Sequence, residues 1–142
     1  MIKIEKAKEE FCKYRNLFDK ENKNIERKFI HTMNVMYLCE VIAKNLNLNK
    51  EEIELAKLIG LLQDIARFEE YKNTKEETMF INSGAFNHAN RGIEILKENN
   101  FIRKFIEDSK FDDIIFTAIS NHNKNKIEDN LFEKELLYCK IL

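Results

Sequence analysis

Apolar residues recur along this chain every three or four positions. Ile4, Ala7, Phe11, Tyr14 and Phe18 share one helical face, which predicts a first amphipathic helix over residues 2–19. The polar run ENKN interrupts it. From Ile25, the positions Phe29, Met33, Met36, Tyr37 and Val41 define a second, long helix reaching Asn45. Asn49 with Glu52 three residues later is a capping-box start, and the helix that follows, through Ile53, Ala56, Ile59 and Leu62, is apolar on more than one face. Such a helix belongs at the centre. The polar stretch of residues 67–85, RFEEYKNTKEETMFINSGA, reads as a loop of a length that usually carries function. Asn87 opens a fourth helix, FIRKFIED forms a short segment, and Ser109 with Asp112 starts a helix through Ile115, Ala118 and Ile119. Asn130 with Glu133 starts the last one, LFEKELLYCKIL.

With no Pro and three Gly in 142 residues, little breaks these helices, and the expected class is all-α. No repeat, low-complexity segment or linker divides the chain, so one domain over residues 1–142 is expected. A formal net charge of −1 with 44% hydrophobic residues fits a globular protein and gives no electrostatic case for nucleic acid. No signal peptide and no run of about 18 apolar residues is present, which points to the cytoplasm and away from the membrane. Cys12, Cys39 and Cys139 are odd in number, widely spaced and set in apolar-periodic stretches. They read as buried thiols rather than a disulfide framework or zinc knuckle.

The candidate chemistry lies in three histidines and one aspartate. His31 falls inside the second helix, His88 at a helix start, His122 at a helix end, and Asp64 follows Gln63 where the central apolar helix stops. Taken singly, each histidine reads most simply as a surface or hydrogen-bonded residue. Helices packed around a common centre can nevertheless aim one such side chain each into a shared pocket. Imidazole nitrogen with carboxylate oxygen suits Mn, Fe, Co, Ni or Zn. No two of these residues form a compact local motif.

In order, His31, then LLQDIARFEEY, then HANRGIEIL with His88, then AISNHN with His122, resemble the HD-domain superfamily of metal-dependent phosphohydrolases. The resemblance covers nearly everything from Ile25 onward. It implies an HD-domain-like helical bundle around a central helix and a divalent metal (Mn, Fe, Co, Ni, Zn or Mg). It also implies metal ligation by His31 and Asp64, and places His88 and His122 where a second metal or the substrate phosphate binds. Arg67 would orient or bind phosphate. Asp64, Arg67, His88 and His122 are thus the expected catalytic set. Two departures stand out. Gln63 occupies the position of the family's signature His, and the family's final Asp ligand would follow Leu142, so the domain is expected to lack its C-terminal helices.

The resemblance therefore implies a phosphohydrolase acting on a nucleotide or other small phosphate ester, impaired by these losses. The alternatives are a degenerate HD domain that binds a phosphorylated ligand without turnover, and a helical interaction module. ELLYCKIL ends in mid-pattern, with no Gly, Asn or Pro stop signal. An apolar patch there would promote self-association or recruit a partner chain through the C-terminal end.

Overall fold

Seven buried residues, Leu55, Ala56, Leu58, Ile59, Gly60, Leu61 and Leu62, lie within thirteen consecutive positions of one helix. In the computed structural model, which describes residues 1–71, 88–122, 127, 131 and 133–142, that helix is the third of the chain. The order is α1 (Ile4–Arg15), α2 (Lys23–Asn45), α3 (Lys50–Leu62), α4 (Ala66–Tyr71), α5 (His88–Glu98), a 3-10 turn (Ile102–Lys104), α6 (Asp112–Asn121) and α7 (Glu133–Ile141). Among the described residues there is no strand. The fold is all-α. Helix α3 packs against α1, α2, α6 and α7, so its apolar girth is covered on several sides. No helix among the described residues is long and apolar enough to cross a membrane.

Local chemistry sets the helix starts. Asn49 accepts from the Glu52 backbone N–H while the Glu52 carboxylate accepts from the Asn49 N–H, which completes the capping box of α3. Asn22, within the ENKN interruption, caps α2 by accepting from the N–H groups of Asn24 and Ile25. Its amide also donates to the Tyr71 carbonyl at 2.8 Å, tying the start of α2 to the end of α4.

Several expectations are corrected. The first helix is shorter than residues 2–19, spanning Ile4–Arg15. Ser109 does not cap α6 with its side chain: the N-cap is Phe111, without a side-chain bond, and the Asp112 carboxylate turns to Arg103. The polar stretch from Arg67 is not loop at its start, because α4 runs to Tyr71. Phe68 anchors that short helix. Its ring is fully buried against Phe11, Tyr14 and Phe18. Residues 72–87 and the Asn130 cap lie outside the described residues. Tyr37 faces solvent at 63% exposure, because α3 covers the opposite face of α2, at Met36, Cys39 and Ala43. Cys39 and Cys139 are buried, whereas Cys12 is half-buried; all three are free thiols.

Helices α2 and α3 approach closely at Gly60. A Cβ there would meet the Cys39 sulfur at 3.0 Å, the Met36 Cα at 3.1 Å and the Val35 carbonyl at 3.3 Å. Two of the three are backbone and cannot rotate away. Gly92, by contrast, would place a Cβ 3.5 Å from Ile65, an ordinary contact. Replacing a helical Gly by Ala is worth up to about 1 kcal/mol, and overpacking typically costs about 1–3 kcal/mol. Gly60→Ala is therefore expected to destabilise by about 1–2 kcal/mol, and Gly92→Ala to be neutral or stabilising. Urea unfolding of the two variants checks this; equal effects at both positions would contradict the close approach.

Candidate metal centre

The apolar run of α3 stops at Gln63, and the chain turns through Gln63, Asp64 and Ile65 before α4 begins at Ala66. The turn is closed by the Ile65 N–H donating to the Leu62 carbonyl and the Arg67 N–H donating to the Asp64 carbonyl. It directs the Asp64 carboxylate into the protein, where its side chain is 7% exposed. Three other helices meet it there. Helix α2 contributes Lys28 and His31 from one face, three residues apart. Helix α5 contributes His88, its first residue, and α6 contributes His122, its C-cap.

The two carboxylate oxygens have different neighbours. Oδ1 lies 3.1 Å from His122 Nε2 and 3.4 Å from His88 Nε2, and these two nitrogens are 3.0 Å apart. Oδ2 lies 3.3 Å from the Lys28 ammonium, accepts from the Gln63 amide at 3.2 Å, and is 3.7 Å from His31 Nε2. The structure thus brings His31, Asp64, His88 and His122 together, with Gln63 beside them. His88 and His122 are enclosed, whereas the His31 side chain is 51% exposed and forms the solvent edge. Arg67 is turned to Glu70, donating from Nη1 at 2.6 Å, while its buried Nε has no partner among the described residues.

Lys28 is the contact that the sequence reading missed. The signal was available: a lysine three positions before His31 on the same helix shares its face.

Burial alone would push the Asp64 carboxyl up, but contact with His122 and the charge of Lys28 outweigh it and hold the group well below the usual carboxylate range. Burial, with the charge of Arg67 adding to it, pushes the His88 imidazole down to about 4. Burial and then Lys28 lower His31 as well. At neutral pH the cluster therefore has an ionised carboxylate and lone pairs on His31 and His88.

The donor set fits a divalent cation. His122 Nδ1–H donates to the Ile119 carbonyl at 2.5 Å, which turns Nε2 toward Asp64 and fixes the ring as a bound imidazole would be fixed. Ligand bonds of about 2.0–2.2 Å put neighbouring donors roughly 2.8–3.6 Å apart. All three spacings among Asp64 Oδ1, His88 Nε2 and His122 Nε2 fall in that range. Three donors this close repel one another unless a proton or a metal ion lies among them. Asp64, His88 and His122 are the group among the described residues whose ligand atoms lie within 4.8 Å of one another. His31 approaches the other oxygen and stands outside that group.

The family model for the HD domain matches residues 29–141. The chain belongs to the HD domain family. The match spans α2 from its second turn to the end of α7, and so includes His31, Asp64, His88 and His122. No curated protein and no solved structure matches the chain. Family membership and the Asp64, His88 and His122 donors together make this a candidate divalent-metal centre of the HD type.

In the metal-free protein the lowered His88 carries a sign. Its ordinary value is 6.5 and its folded value about 4, so between these the unfolded chain binds the additional proton. The His88 contribution is complete above pH 6.5 and is lost as pH falls toward 4. Urea midpoints of the wild type should rise with pH across that window, and His88→Asn should flatten the slope. Parallel profiles for the two proteins would contradict the buried neutral imidazole.

Proposed function

We propose that the chain is a metal-dependent phosphohydrolase of the HD type, acting slowly on a nucleotide or another small phosphate ester. The observation that carries this reading is the convergence of Asp64, His88 and His122 in a chain of the HD domain family. These three residues would hold the cation, which when bound activates a water and neutralises phosphate oxygens. The remaining residues divide the other tasks. Arg67 keeps an unpartnered Nε for a phosphate oxygen, though Glu70 already holds its other end. His31 is neutral and solvent-facing, so it can take the proton of the attacking water as that water adds to phosphorus and, once protonated, return it to the leaving oxygen as the phosphorus–oxygen bond breaks. Gln63 replaces an imidazole donor by an amide whose nitrogen faces Asp64. That loss argues for a low rate.

A second reading is favoured by the same Gln63 and by Lys28 on Oδ2: an HD domain that binds a phosphorylated ligand without turning it over. A panel of nucleotides and aryl phosphates with Mn²⁺, Co²⁺ or Ni²⁺ separates the two. Hydrolysis abolished by chelation, and reduced about 100-fold or more in Asp64→Asn and His122→Ala, is the expected result. Turnover indifferent to chelation and to both substitutions would overturn the reading. Nucleotide-dependent thermal stabilisation with no product would establish the second one.

A further inference from the structure

The two oxygens of Asp64 are served by different kinds of group. Oδ1 faces two imidazole nitrogens that can each offer a lone pair. Oδ2 faces an ammonium and an amide N–H, which donate hydrogen bonds and cannot coordinate a metal as they are placed. Lys28 is not a flexible surface lysine resting on the site. Its side chain is 18% exposed, and its charge lies against a carboxylate that is 7% exposed. A pair enclosed to this degree is broken only by leaving a buried charge without its partner.

Charge points the same way. Asp64 supplies the carboxylate of the cluster, and the Lys28 ammonium is already paired with it. Arg67, also near the cluster, is held by Glu70. One divalent ion on Oδ1 leaves Lys28 in place. A second, on Oδ2, would have to displace both the ammonium and the Gln63 amide, and would stand beside the first across a single carboxylate.

We propose that Lys28 fills with its own ammonium the side of Asp64 that a second cation would use, so that the centre takes one divalent ion, on Asp64 Oδ1, His88 and His122. Lys28 is then a determinant of metal stoichiometry, acting through Asp64 rather than on substrate. This rests on the metal reading given above, and the two can fail separately.

The test is metal counting on the intact chain, by native mass spectrometry after Mn²⁺ loading, with Mn²⁺ electron paramagnetic resonance as a second readout. The wild type should bind about one ion and give the signal of an isolated Mn²⁺. Gln63→His should also stay at about one, since the new imidazole still faces Lys28. The double variant Lys28→Met with Gln63→His frees Oδ2 and offers it two imidazoles. It should bind about two ions, with a magnetically coupled signal, because ions in two-metal sites lie about 3.5–4 Å apart. Lys28→Arg with Gln63→His keeps the charge and should return to about one, a control that also guards against misfolding of the methionine variant. Two ions in the wild type, or in Gln63→His, would overturn the role of Lys28. So would one ion in a folded double variant. No ion in any of these proteins would overturn the metal reading itself, and this inference with it.

Discussion

A buried carboxylate is the constraint around which this protein is arranged. Removing Asp64 from water costs several kcal/mol unless charge and hydrogen bonds replace the lost solvent. On Oδ2 the replacement comes from Lys28 on α2 and the Gln63 amide beside it, while Oδ1 faces the imidazoles of His88 and His122. Four separate stretches of chain thus converge on one group. The compensation is uneven, since one oxygen is satisfied by donors and the other faces nitrogens that can themselves accept. That imbalance marks the Oδ1 side as a candidate position for a cation.

The packing around the turn explains how the groups are held. Gly60 lets α2 lie close on α3, and the same two helices bring Lys28 and His31 within 3.3 and 3.7 Å of Asp64 just past the end of α3. On the far side of the turn, Phe68 is locked among Phe11, Tyr14 and Phe18, and the Asn22 amide holds the Tyr71 carbonyl. Asp64 is pinned from both directions.

The long helices were legible because their signals are local. Periodicity over residues 25–45 and the Asn49 with Glu52 pair specify α2 and the start of α3 without reference to the rest of the chain. The start of α6 was misread because Asp112 has a choice that sequence cannot weigh: capping a helix, or pairing with Arg103 brought near by the fold. Helix α4 was hidden for a similar reason. Arg67, Glu69 and Glu70 look like loop, yet Glu70 pairs with Arg67 and Glu69 with Arg91, while Phe68 supplies the burial. At the centre, His31, Asp64, His88 and His122 stood out as chemistry-bearing residues and by their order. Which oxygen each would face, and that Lys28 would share Oδ2, depend on the mutual placement of α2 and the α3–α4 turn. A lysine on a helix is ordinarily solvated, so nothing in its own neighbourhood marked it except its spacing from His31.

Crystals grown with Co²⁺ and measured at the cobalt absorption edge test most directly whether Asp64, His88 and His122 hold a divalent cation. An anomalous peak about 2.0–2.2 Å from Asp64 Oδ1 and from the Nε2 atoms of both histidines is the predicted result. A peak confined to other residues, or no peak with the three side chains in contact through protons alone, would contradict it.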